Sequence, residues 1–237
     1  MRGKFLKAFI SAALVAAVGF SFISIGRNRG KLDYGKNLGE TAVTVDGREI
    51  SFGDLAFYIL YEERVVEEQA MVYNPESTKD YWNIHTNGGF FQDQVKESVM
   101  GMAVHDYIFY DLAVAQGMDT LTPEEKEDLE FATLDFWEDL LDEQWDRLPA
   151  DEETINSQIR IAAIAEKYQN YLADSKGPSK AAYNYDGYYY EQMKSDHDIV
   201  INEKLWDRFV MGDNTLEHSK VNYINGYNKD DKSEKEK

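Results

Sequence analysis

The sequence predicts a mainly α-helical body with short strands near its two ends and a hydrophobic N-terminal helix before it. First, apolar residues recur at helical spacing in four long segments between residues 52 and 173. Second, only four prolines occur in 237 residues, so long helices are permitted. Third, short β-branched runs lie near the two ends of the body, at residues 43–45 and 199–201.

The first 31 residues predict a signal peptide or a membrane anchor with basic flanks. Met1–Lys7 is basic, and residues 8–25 carry no charge. A secretory apolar region usually has 7–15 residues and a membrane-spanning helix 17–25, so this segment is at the boundary. Cleavage after a small-x-small site at residues 24–26 stays open, although the length slightly favours a retained anchor. In both cases we expect the body outside the cytoplasm, secreted or membrane-anchored in the cell envelope; a buried core helix is the alternative.

Charge and cysteine content exclude several functional classes. The first 31 residues hold six of the 25 bases and none of the 44 acids, so the body is more acidic than the net charge of −19 indicates. Such a field repels phosphate backbones, which argues against nucleic-acid binding. It favours cationic partners, or it simply keeps the protein soluble. The absence of cysteine excludes disulfides, thiolate nucleophiles and cysteine-ligated metals.

The body is predicted at residues 41–212, after a spacer at 32–40. Asp46-Gly47 lies between two β-branched runs and predicts a two-residue hairpin. Ser51 and Asp54 then form a variant capping box that starts a helix extending to about Tyr73. Its glutamates are predicted to be on the surface. These are Glu62, Glu63, Glu67 and Glu68.

Three further helices follow at about residues 90–116, 122–148 and 153–173. The first is apolar on more than one side, so we expect it at the centre of the body. The second has the strongest start signal, with Thr122 as N-cap, Pro123 at N1 and Glu125 at N3. A tyrosine-rich segment, a strand at residues 198–201 and a helix at 203–210 complete the body. Residues 213–237 are predicted to be a polar, disordered tail.

The chain shows little that indicates catalysis. No two of its four histidines share a metal-binding spacing, and we interpret His105 as a satisfied core histidine. Eleven carboxylates lie between Glu124 and Asp146, but helical spacing does not wrap a cation, so a solvated face is the preferred interpretation. No catalytic, metal-binding or cofactor-binding residue is therefore assigned.

Aromatic residues and methionines are the candidates for binding. Tyrosine and tryptophan offer large contact areas with little rotamer entropy to lose, and methionine adapts to irregular partners. Ordinary packing in the core or at its rim is the alternative for each residue. The predicted polypeptide-binding residues are Tyr58, Tyr61, Met102, Phe136, Trp137, Trp145 and Tyr189.

The two ends of the body resemble a known family. The segment VTVDGREISFGD at residues 43–54 is similar to the start of the SurA/PrsA-type extracytoplasmic foldases. The segments YDGYYY at 185–190 and DIVINEKLW at 198–206 resemble the return segment that completes the family's N-terminal chaperone domain. The family's parvulin prolyl-isomerase domain has no place here, because only residues 173–182 lie where it is inserted. The resemblance therefore implies that the two terminal strand segments meet in a small β patch. It also implies client holding and not prolyl isomerisation.

Three functional hypotheses remain. The first is an extracytoplasmic chaperone-like module that holds unfolded or newly exported polypeptides without catalysis. The second is an envelope adaptor that binds one folded partner. The third is an enzyme that uses the carboxylates between Asp135 and Asp146, which requires a concave site.

Overall fold

The computed structural model describes residues 30–86 and 89–218. The described part is mainly helical with a small antiparallel sheet. In chain order its elements are β1 (Thr41–Val45), β2 (Arg48–Ser51), α1 (Ala56–Tyr73), α2 (Thr78–Trp82), β3 (His85–Thr86), β4 (Gly89–Phe90), α3 (Phe91–Ala115), α4 (Pro123–Glu138), α5 (Asp142–Trp145), α6 (Glu152–Lys176), α7 (Tyr188–Lys194), β5 (Ile199–Ile201) and α8 (Glu203–Trp206). Single 3₁₀ turns occur at Tyr34–Lys36, Gly53–Leu55 and Lys180–Tyr183.

The predicted β patch is confirmed. Asp46 and Gly47 both have positive φ, 50° and 84°, which lets β1 and β2 pair through a two-residue turn. β5 pairs antiparallel with the other edge of β1, with Val43 opposite Ile201 and Val45 opposite Ile199. The two ends of the body therefore meet in one three-stranded sheet of order β2-β1-β5.

Helix α1 begins and ends close to the predicted residues, but its environment differs. Ser51 and Asp54 exchange the expected capping bonds, at 3.1 Å from Asp54 N to Ser51 Oγ and 2.9 Å from Ser51 N to Asp54 Oδ2. The prediction that its glutamates are exposed is wrong for Glu62, Glu63 and Glu67, which are all buried. Other elements cover α1 on several sides. Polar side chains that the helical periodicity predicts to be exposed are therefore buried.

Helices α3 and α6 form the most extensive helix contact in the described part of the chain. α3 has apolar residues on several sides and is buried along most of its length, as expected for a central helix. α6 ends at Lys176, and Gly177 follows with φ of 89°, the left-handed conformation typical of a residue that ends a helix. Helix α4 packs on α6, the second member of this pair.

The single helix predicted at residues 122–148 is instead two helices. α4 ends at Glu138, and Leu141 is extended with ψ of 146° before α5 begins. The break allows the Gln144 side chain to enter the core, where its amide donates to Leu60 O at 3.0 Å and to Thr215 Oγ1 at 2.9 Å. Two buried hydrogen bonds from one side chain offset the loss of helical continuity.

The body extends beyond the predicted boundary at residue 212. Thr215 and Leu216 are buried, and the segment Gly212–Thr215 binds the Glu63 carboxylate. The described residues after 212 are therefore part of the packed body and not a polar tail; residues 219–237 lie outside the described part.

The predicted spacer also packs on the body. Leu32 and Tyr34 are buried, and the Tyr34 hydroxyl donates to the Phe52 carbonyl. The predicted N-terminal hydrophobic helix at residues 8–25 lies outside the described residues. Within residues 30–86 and 89–218, no helix combines the length and apolarity needed to cross a membrane.

Candidate functional site

A groove of about 550 Å³ lies between α4 and α6. Its volume falls within the usual range for binding clefts. From α6 it includes the stretch between Ala163 and Ser175, which is about 18 Å long at 1.5 Å per residue. The groove is lined by Leu121, Glu125, Asp128, Leu129, Ala132, Ala163, Glu166, Lys167, Asn170, Tyr171, Asp174 and Ser175.

Polar contacts fix the two helices at both ends of their antiparallel pair. At the start of α4, Lys167 donates to Thr120 O and to Glu125 Oε2, both at 2.9 Å. At the other end, Trp137 Nε1 donates to Asn156 Oδ1 at 2.8 Å. Between these contacts both helices line the groove with alanine, whose small side chain leaves room for an occupant.

The capping box at the start of α4 also shapes the charge of the groove. Glu125 N donates to Thr122 Oγ1, and Glu125 Oε2 accepts from Thr122 N at 2.7 Å. Burial raises the pKa of Glu125, but the hydrogen bonds from Thr122 and Lys167 outweigh this effect and lower the pKa. The carboxylate therefore stays ionised at neutral pH and holds Lys167 in place.

The lining of the groove has four acidic side chains and one lysine, so its net charge is negative. Glu125 pairs with Lys167, and Glu166 pairs with Lys180. Asp128 and Asp174 form no ion pair with a described residue. The same lining contains leucine and alanine side chains, so the groove combines apolar and charged groups.

Five of the seven predicted binding residues lie in one continuous chain of rings, linked through Phe57. Tyr58 and Tyr61 contact Phe57 at centroid distances of 5.0 and 6.4 Å. Phe57 contacts Phe136 at 5.2 Å, and Phe136 contacts Trp137 at 5.3 Å. The last step, from Trp137 to Trp145, is 5.1 Å. The chain runs from the core to the surface.

Only the outer end of this ring chain is accessible. Trp145 is 45% exposed, and Trp137 is partly buried beside it. The interpretation of Tyr58, Tyr61 and Phe136 as binding residues is corrected, because these three side chains are buried in the core. Their rings pack between helices, where a polypeptide has no access to them.

The remaining two predicted residues lie elsewhere. Met102 is buried on α3, so its assignment as a binding residue is corrected for the same reason. Tyr189 on α7 is exposed and contacts Tyr183 and Tyr188 at 5.6 and 5.5 Å. It belongs to a separate tyrosine cluster that shares no lining residue with the groove.

His105 is bound at both ring nitrogens. Its Nδ1 lies 2.7 Å from Asp106 Oδ1, and its Nε2 lies 2.9 Å from the Tyr183 carbonyl oxygen. A carbonyl oxygen only accepts, so Nε2 donates to Tyr183, and the contact between Nδ1 and Asp106 Oδ1 is a hydrogen bond because a proton lies between these two atoms as well. Tyr58 donates to the other oxygen of Asp106 at 3.0 Å. This buried network ties α1, α3 and the segment before α7 together, as the interpretation of a satisfied core histidine predicts.

The carboxylates of the third hypothesis do not converge. Asp135, Asp142 and Asp146 are exposed, and Asp139 lies 3.3 Å from Arg64 Nη1 in an ion pair. Within the described residues no group of three or more histidine, aspartate or glutamate side chains is placed to hold a metal ion. The acidic segment is thus an outer surface of the protein.

The groove residues were not among the predicted binding residues. Ala132 and Ala163 give no aromatic signal, and a search for large side chains overlooks them. A usable signal was present in the amphipathic pattern of the two helices, since small residues at facing positions leave space between them.

No family model matches the chain, and neither the curated proteins nor the solved structures contain a match.

Proposed function

We propose that this protein is an extracytoplasmic chaperone-like module that holds unfolded or newly exported polypeptides without catalysis. The observation that supports it best is the groove between α4 and α6, whose lining combines apolar side chains with a net negative charge. A short apolar segment of a client fits this length, either as about three helical turns or as five extended residues.

The expected strength of binding suits transient holding. Two or three buried aliphatic side chains contribute roughly 3–9 kcal/mol before ordering costs. Association costs of at least about 4 kcal/mol leave at most about 5 kcal/mol, so dissociation constants of about 0.2 mM or weaker follow. Release then needs no energy source, because such complexes dissociate rapidly.

Two further features agree with this proposal. The meeting of β1 and β5 is the arrangement that the foldase resemblance implies. The basic N-terminal segment with an uncharged stretch at residues 8–25 supports export and, if the segment is retained, attachment to a membrane.

The test is suppression of aggregation by the full-length chain. Reduced lysozyme and reduced α-lactalbumin serve as unrelated clients, and light scattering reports their aggregation. Ala163→Trp fills the groove, so we expect at least a fivefold loss of suppression. Ala181→Trp is the matched control, since Ala181 is exposed and does not line the groove. Circular dichroism checks that both variants fold. If the unsubstituted chain leaves both clients to aggregate, or Ala163→Trp suppresses as well as the control, the proposal fails.

The second candidate is an envelope adaptor for one folded partner. It is favoured by the burial of Tyr58, Tyr61, Met102 and Phe136, which leaves less accessible aromatic and methionine surface than a promiscuous holder needs. The two functions separate in one comparison: an adaptor retains one partner in a pull-down and leaves the aggregation of both test clients unchanged.

A further inference from the structure

Helix α4 is only partly used by the fold. It has sixteen residues, of which only Phe136 is buried. Two large apolar side chains, Phe131 and Leu134, are 57% and 51% exposed. They are three residues apart and therefore adjacent on one side of the helix. At 100° per residue, this side lies opposite the positions that line the groove.

Acidic residues surround this apolar pair. The surface, which we call the outer α4 face, consists of Glu127, Glu130, Phe131, Leu134, Asp135 and Glu138. All six residues are exposed, and none of the four carboxylates forms an ion pair with a described residue. The ordinary pattern of an amphipathic helix places only polar groups on the solvent side, so the two apolar side chains are not explained by the packing of the fold.

We propose that the outer α4 face docks a basic amphipathic helix from another polypeptide. Such a helix places an apolar strip on Phe131 and Leu134 and its lysines or arginines against the surrounding carboxylates. Charge decides between possible occupants. A second copy brings the same acidic face and is repelled, and an anionic lipid surface is repelled as well. A cationic segment is attracted, and attraction accelerates its association most at low salt.

This surface is separate from the groove, so the inference goes beyond the proposed holding function. A groove occupant contacts Ala132 and Ala163, whereas the basic helix contacts the opposite side of α4. The two surfaces can be inactivated independently. If the chain holds clients but does not bind the basic peptide, the inference about the outer α4 face fails. If it binds the peptide but does not hold clients, the proposed holding function fails.

The experiment measures binding of a labelled 14-residue peptide of leucine and lysine at amphipathic spacing, by fluorescence anisotropy with the full-length chain. We expect Phe131→Ser with Leu134→Ser to weaken binding at least tenfold. Val72→Ser with Tyr73→Ser is the matched control, because these residues are exposed apolar positions on α1, and we expect a change below twofold.

Charge is tested with a second pair of variants. Glu127→Gln with Glu130→Gln should weaken binding severalfold at low salt, and the effect should shrink at high salt. Glu40→Gln with Glu49→Gln removes two exposed carboxylates from the sheet region and should leave binding unchanged. A peptide with glutamate in place of lysine should not bind.

Four outcomes overturn the inference. The first is equal binding by the Phe131/Leu134 variant and the unsubstituted chain. The second is equal binding of the lysine and glutamate peptides. The third is a micromolar dimer in analytical ultracentrifugation that the Phe131/Leu134 variant abolishes, which makes a second copy the occupant. Loss of peptide binding in Ala163→Trp alone also contradicts the inference and places the peptide in the groove.

Discussion

Replacing Glu63 by glutamine is expected to detach the C-terminal segment of the body from α1. The Glu63 carboxylate is fully buried, and no cation pairs with it among the described residues. It accepts five hydrogen bonds from the segment at residues 212–215. Oε1 accepts from Gly212 N at 2.6 Å, Asn214 N at 3.3 Å and Asn214 Nδ2 at 3.0 Å. Oε2 accepts from Thr215 N at 2.8 Å and Thr215 Oγ1 at 2.6 Å.

Glutamine keeps the volume but replaces one acceptor by a donor. If the amide nitrogen takes the place of Oε2, it faces Thr215 N, and one buried backbone donor is left without an acceptor. This costs about 1–3 kcal/mol, and the remaining bonds lose the strength that an ionised acceptor provides. We therefore expect a loss of about 3 kcal/mol in the free energy of unfolding, from a total of roughly 5–15 kcal/mol.

Urea denaturation followed by circular dichroism measures this change. With a denaturant slope of about 2 kcal/mol per molar, the midpoint should fall by about 1.5 M. Hydrogen exchange provides a local measurement, since the amides of Gly212 and Thr215 should exchange faster than amides in α3. Glu40→Gln, at an exposed glutamate, is the control and should change neither value. A loss below about 0.5 kcal/mol for Glu63→Gln, with both amides still protected, would refute this account of the contact.

Two further predictions concern the packing of the body. Burial raises the pKa of Glu62 from 4.5 to about 7, so in this pH range the unfolded chain binds fewer protons than the folded chain and stability falls as pH rises. In urea titrations of the unsubstituted chain, the free energy of unfolding should fall by roughly 3 kcal/mol between pH 5 and pH 8 because of this group, and Glu62→Gln should remove that fall. An unchanged pH dependence in the variant would contradict the raised pKa of Glu62. Gly212 and Gly177 both have positive φ, but a Cβ on Gly212 would lie 2.6 Å from Trp82, whereas a Cβ on Gly177 meets nothing within 4 Å. Gly212→Ala should therefore lower the thermal midpoint clearly more than Gly177→Ala, whose cost is about 1 kcal/mol of conformational strain; equal midpoints would show that Trp82 moves aside freely.

The β patch could be predicted from the sequence because its signals are local. Asp46-Gly47 specifies the hairpin turn, and β-branched residues specify the strands on both sides of it. The pairing of β1 with β5 joins residues more than 150 positions apart, and only the foldase resemblance indicated it. Helix starts at Ser51 and Thr122 were also predictable, since capping side chains act within three residues.

The position of the site could not be predicted in the same way. Periodicity places Glu62 and Glu63 on the polar side of α1, but tertiary packing covers that side as well. The segment after residue 210 supplies hydrogen-bond donors to Glu63, and no local sequence pattern indicates this contact. Aromatic content identified a cluster that is largely internal, because large rings stabilise a core as well as they bind a partner. The groove exists because small side chains, including Ala132 and Ala163, leave space between two helices. Alanine is common in helices, so its presence in a sequence does not indicate a binding site.

Site-specific cross-linking to a bound client is the most direct test of the groove as the holding site. A photoreactive phenylalanine derivative replaces the groove-lining Tyr171 in one variant and Ala181 in another, and each is irradiated with reduced α-lactalbumin during aggregation. The account predicts abundant cross-links from residue 171 and almost none from residue 181. Equal yields at the two positions, or cross-links from residue 181 alone, would contradict it.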